Sequence, residues 1–222
     1  MPEYLPAIIA GISLICIELI RSIPALLRVK NTVNSDGVSG TSLGVLAGTG
    51  LSWIFLAFLI QSWWVLAANI IWLGIHLALC REVSAISSGK KKQILITSAI
   101  SAGVLILASI AGYAAGGLIP TLNVVVSLTA VFYGVPALYE GLTSTTTRGL
   151  SVIALSVNSI EGFIYLLSGL GILVLASNDD TIAGFIFFGV ISIVANGLRL
   201  VRVSYRRIKG LDKPSLPVMS NA

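Results

Sequence analysis

The sequence predicts an all-α integral membrane protein: seven transmembrane helices set as two parallel triple-helix bundles joined by a linker helix, a 3+1+3 plan. Three observations predict it. The 222-residue chain is 56% hydrophobic and only 10% charged, with a mean hydropathy of +0.97. That is too little charge to coat a soluble domain, so lipid is its solvent. Seven stretches are apolar enough to cross about 30 Å of hydrocarbon, which takes about 20 helical residues. Finally, the chain matches itself, ungapped, at an offset of 112 residues. Pro24-Ala25-Leu26 recurs as Pro136-Ala137-Leu138, and Gly37-x-Ser39 as Gly149-x-Ser151. Leu43/Leu155, Val45/Val157, Gly50/Gly162 and Trp53/Tyr165 keep the same register. Composition alone aligns one membrane helix with another, but it does not hold Pro, Gly and Ser in step.

In order, the expected spans are 5–28, 41–60, 63–80, 94–115, 118–139, 150–175 and 181–203. Gln61-Ser62 separates the second from the third, and Gly116-Gly117 the fourth from the fifth. Gly169, Gly171 and the turn Ser177-Asn178-Asp179-Asp180 set the end of the sixth, early or late. The first span is not expected to be a signal peptide: it lacks a basic leader, carries Glu18 and Arg21, and has its counterpart in mid-chain. The repeat pairs spans one to three with five to seven and leaves the fourth over. An odd helix between two three-helix halves gives both the same orientation, so the repeats are parallel. The units are then 1–85, the first bundle; 86–116, a cytoplasmic loop and linker helix; 117–208, the second bundle; and 209–222, a basic, then Pro- and Ser-bearing cytoplasmic tail.

Every Lys and Arg except Arg21 falls on one side of these spans, and the other side carries only Glu3, Asp179 and Asp180. The excess of Lys and Arg puts the C-terminus in the cytoplasm and the N-terminus outside, in a multi-pass protein of the plasma membrane. The formal net charge of +5 therefore belongs to span flanks and does not point to nucleic acid. Cys16 and Cys80 lie in apolar segments and read as small buried side chains. Assembly with further copies is left open.

The run Pro24-x3-Arg28, Gly37-x-Ser39, Thr49, Trp53 and Asn69 resembles the first triple-helix bundle of the SWEET (MtN3/saliva) sugar transporters. The second half resembles it through Pro136, Gly149-Leu150-Ser151, Glu161 and Tyr165. The resemblance covers most of residues 5–205 and implies transport of mono- or disaccharides by uniport, with Trp53 and Asn69 bordering the sugar. The chain departs from the family where Ser42 and Ala154 stand at helix-two and helix-six prolines, and where Tyr165 replaces a Trp. Gly184 stands opposite Asn69, and Asn196 lies about three turns deeper.

Charges near a bilayer centre are expensive and are functional candidates by default, here Glu18, Arg21 and Glu161. Glu18 and Arg21 are i,i+3 and neutralise one another, either as a structural pair or as a pair that also meets substrate or a proton. Glu161 precedes Tyr165 by one turn, as Thr49 precedes Trp53, so each half presents a polar group beside a ring. Facing each other, Thr49/Trp53 and Glu161/Tyr165 would hydrogen-bond hydroxyls and stack on a sugar ring, or hold a cation over a π face. The bland reading of Glu161, Asn69 and Asn158 is interhelical hydrogen bonding. His76 reads as structural, and Trp63, Trp64 and Trp72 as an interface belt or lipid packing. Pro24 and Pro136 each remove a backbone hydrogen bond at matched depth and mark hinges, against static kinks. No catalytic residues, metal ligands or cofactor motif are found, and no enzyme is expected. Two alternatives stay open beside the sugar transporter. One is the same machine carrying an amino acid or other charged metabolite, with Glu161 allowing proton coupling. The other is a seven-helix receptor or sensor, although 181–203 contains no Schiff-base lysine.

Overall fold

The structure, a computed structural model, describes residues 5–59, 61, 63–170 and 182–212. Among these the chain is all-helical: α1 (Leu5–Thr32), α2 (Gly40–Leu59), α3 (Trp63–Ile86), α4 (Ser88–Ala114), α5 (Leu118–Thr143), α6 (Val152–Gly169) and α7 (Ile182–Ile208). Four stretches of the described residues are long and apolar enough to cross a membrane: Gly40–Leu59, Val65–Ile86, Ser88–Ala114 and Ile186–Ile208. The Ser177–Asp180 turn, Gly171, Glu3, Lys213 and the rest of the tail, and the surroundings of Trp64 and Gly184, lie outside the described residues.

Several helices overrun the apolar stretches that announced them. α3 runs on to Ile86 because Val83, beyond the expected end, is fully buried. α4 begins at Ser88, six residues before the expected start, since the Ser87 side chain caps it by accepting from the Lys90 amide. Lys90, Lys91 and Lys92 therefore sit on a helix rather than in a loop. Hydropathy reports depth in lipid, whereas caps decide where helices end. The turn after α4 follows the Gly-Gly signal: Gly116 takes a φ of +70° and the Gly117 amide donates back to Gly112, the usual left-handed helix stop.

The helices pack in a pattern of matching pairs. α1 packs on α3 and α3 on α2; α5 packs on α7 and α7 on α6. Across the halves, α2 meets α5 and α1 meets α6, pairs that exchange under the offset. α4 packs on α2, α3 and α5. Its approach to α2 is close. A Cβ on Gly44 would collide with Thr97 and Ile94, and Ser98 Oγ donates to the Gly44 carbonyl at 3.0 Å. Small residues plus serine-to-carbonyl bonds are how helices associate without a hydrophobic driving force. Its other face, with Ile96, Ile100 and Leu107, is exposed and suits lipid.

The tightest apolar core lies towards the basic end, where Val29, Val83 and Val203 are at most 1% exposed and join Leu43, Ile94 and Leu150.

Candidate functional site

A cavity of about 220 Å³ lies between the two sets of repeat-related helices, below the ~300–1,000 Å³ usual for drug-sized ligands and suited to a small metabolite. Its charged wall is built by α1 and α6. Arg21 Nη2 donates to Glu18 Oε1 at 2.7 Å, and Arg21 Nη1 donates to Glu161 Oε2 on the opposite half. The expected Glu18–Arg21 pair is thus a triad, one guanidinium shared by two carboxylates. All three side chains are less than a fifth exposed and line the cavity.

An aromatic cluster centred on Phe188 forms a second wall. Tyr165 meets its ring edge-on with centroids 4.8 Å apart, Trp53 does so at 6.5 Å, and Tyr133 lies tilted at 6.3 Å. Asn69 lines the cavity, and its Nδ2 donates to the Trp53 carbonyl at 3.4 Å. Trp53, Asn69, Glu161 and Tyr165 are therefore brought together.

Thr49 is not. It is 1% exposed, its hydroxyl donates to the Leu46 carbonyl one turn back, and it is absent from the cavity wall. Four residues on a helix advance about 400°, so Trp53 is rotated by about 40° from Thr49, and a threonine too short to span the difference turns to its own backbone.

Other residues also depart from expectation. Trp72, assigned to an interface belt, is buried, lines the cavity and stacks on His76 with centroids 5.3 Å apart. His76 Nε2 donates to the Leu43 carbonyl at 2.9 Å, so its structural reading is consistent with its surroundings. Trp63 is exposed, as a belt residue should be. Cys80 is buried, but Cys16 is exposed on the outer face of α1. Asn196, expected to lie too deep, lines the cavity.

Tyr133, Phe188 and Arg199 are among the wall residues that escaped sequence reasoning. Tyr133 had a signal, since it occupies the repeat position of Arg21. Phe188 had none: Phe187 beside it faces outward, and nothing in the sequence separates the two. Arg199 was counted with the basic flank.

At the basic end the cavity is closed where the α1–α2 and α5–α6 loops meet. Gly37 N donates to Ser144 Oγ at 3.0 Å, and Thr146 Oγ1 donates to Asp36 Oδ2 at 2.9 Å. A Cβ on Gly149 would run into the backbone of Asn34 and Asp36. The two Gly-x-Ser motifs are therefore the places where the loops need glycine to touch. Cations fasten both loops. Lys90 Nζ donates to the Ser35 and Val38 carbonyls at 2.6 and 2.7 Å and pairs with Glu140 at 3.0 Å. Arg28 Nε donates to the Arg148 carbonyl at 2.7 Å, and Arg206 Nη2 to that of Thr145. Asp212, just beyond α7, accepts from the Thr147 hydroxyl and from Arg206.

Pro24 and Pro136 lie inside α1 and α5, each followed by a cavity-lining alanine. Ser42 Oγ donates to the Tyr133 carbonyl at 2.6 Å, in the turn that Pro136 loosens, and so ties α2 to α5.

Comparison of the chain with family models, curated proteins and solved structures finds no match. Among the described residues no group of three or more His, Cys, Asp or Glu side chains could hold a metal ion.

Proposed function

We propose that this chain is a membrane transporter of small sugars, working by alternating access at the cavity between two triple-helix bundles. The observation that carries the reading is the cavity itself: aromatic rings and amides from both halves surround it, and two matched loops close one end. Rings suit the C–H faces of a sugar and amides its hydroxyls. The pairing of α1, α2, α3 and of α5, α6, α7, with cross-contacts that exchange under the repeat, supports two bundles of like orientation with α4 as linker. It is also the build implied by the resemblance to SWEET transporters. Pro24 and Pro136 are then hinges, and the basic, loop-sealed end faces the cytoplasm of a cell bounded by this membrane.

A second reading, transport of a charged metabolite with proton coupling, draws on the shared guanidinium. Arg21 balances only one of two carboxylates, and its bond to Glu161 crosses from α1 to α6, where rocking would break it.

The test is uptake of labelled glucose and sucrose into proteoliposomes, with and without a pH gradient, for the natural protein and Glu161→Gln. Saturable flux that equilibrates without the gradient, lost in the variant, is expected for a sugar uniporter using Glu161. Acceleration by the gradient in the natural protein alone would make Glu161 the proton carrier. No flux from demonstrably folded protein would sink the sugar assignment, and saturable binding without flux would favour a receptor.

A further inference from the structure

Apart from Arg81, which is exposed, the arginines of the basic end bond to carbonyls, and Arg199 does not. Arg202, Arg206 and Arg207 on α7 each give an Nη2 bond to the α5–α6 loop, at Ser144, Thr145 and Leu150. Arg199, one turn further into the helix, turns instead to the cavity. Its single hydrogen bond runs from Nη1 to the neutral Asn196 Oδ1 at 3.4 Å. Its Nε, like those of Arg202 and Arg207, is buried without a hydrogen-bond partner, but unlike theirs its guanidinium bonds to no carbonyl, and among the described residues no carboxylate lies within 4.0 Å of it. Glu140, beside it on α5, is held by Lys90.

The site is shaped for this side chain. Opposite it stands Gly141, where a Cβ would lie 2.7–3.1 Å from Arg199 Cγ, Nε and Cδ. The helix face was thus kept bare to admit the arginine stem. A cation drawn away from water with no carboxylate in contact is costly, and such residues inside membrane proteins mark solute paths.

We propose that Arg199, with Asn196, is an anion subsite on the floor of the cavity, and that the transported solute carries a carboxylate, as a sugar acid does. The proposal rests on the transport reading and names its substrate class. A planar guanidinium matches a carboxylate with two parallel bonds. One such group balances a single negative charge, which fits a monoanion better than a phosphate. At the other wall Arg21 is engaged by both Glu18 and Glu161, so it does not compete with Arg199 for an anion. The uncharged part of the solute then lies against the rings of Phe188, Trp53 and Tyr165.

The test compares D-glucuronate with D-glucose, measured by binding and thermal melting of the full chain in lipid nanodiscs. The natural protein is expected to bind glucuronate at least about tenfold more tightly than glucose, the scale of one charge-assisted hydrogen bond. Arg199→Gln brings the ratio to about one. Asn196→Asp, which places a carboxylate beside the guanidinium, keeps the measurement decisive should the first variant fail to fold. It is expected to melt higher without solute and to lose the preference for glucuronate. Equal binding of the two sugars to the natural protein, or a preference that survives Asn196→Asp, would overturn the subsite and leave the transporter standing. Binding of neither sugar, together with no flux in proteoliposomes, would overturn both.

Discussion

Asp212 ends the described chain with a side chain 3% exposed, a position where burial alone would favour its neutral form. The hydrogen bonds from Thr147 and Arg206 outweigh that burial and hold its carboxyl below the usual carboxylate range. A depressed acid stabilises the fold above its unfolded value, about 3.9, and the stabilisation is lost as pH falls through the folded value. Asp212→Asn is therefore expected to cost about 1 kcal/mol at neutral pH. Thermal melts of the two proteins should stay apart above about pH 5 and converge below about pH 4; a gap that widens on acidification would refute the linkage. Asp212 carried no sequence signal, because an exposed-looking acid in a basic tail resembles any other. Glu18, Arg21 and Glu161 were legible for the opposite reason: charge in an apolar run is too expensive to be incidental. Their mutual contact was not, since it spans 140 residues of chain. Arg199 was hidden among its basic neighbours until Gly141 explained where it points.

At the scale of elements, α2 and α4 pack with almost no side chain between them. Thr97, Ser98 and Ser101 each donate to an α2 carbonyl, and Gly44 leaves them room. Gly44→Val would have to push α4 outward, and overpacking of this kind costs about 1–3 kcal/mol. The expected outcome is a lower melting temperature for the variant in detergent, whereas an unchanged melt would mean that this contact does not hold α4 in place. The seven helices were legible as hydropathy. Their ends were not: Ser87 and the buried Val83 are events of capping and packing that an average over 20 residues smooths away. The α2–α4 interface was equally silent, because glycine and serine raise no signal in an apolar window.

In the whole molecule, the contacts of α1, α2 and α3 resemble those of α5, α6 and α7, in keeping with the ungapped sequence match. That match could not foretell where the halves differ, and the cavity is made from those differences. Tyr133 stands where its partner position has Arg21, Glu161 where it has Thr49, and Ser42 bonds across to α5 where Ala154 has no hydroxyl to offer. The triad of Glu18, Arg21 and Glu161 also has an electrical consequence. A unit charge crossing the full transmembrane voltage changes energy by about 2.3 kcal/mol per 100 mV. If the halves rock as proposed, Glu161 and the α1 pair travel in opposite senses through that field. A voltage step across a planar bilayer should then displace a small capacitive charge with no solute present, and Glu161→Gln should shrink it. Even for an uncharged cargo, the resting side of the cavity would be set by the cell's own battery.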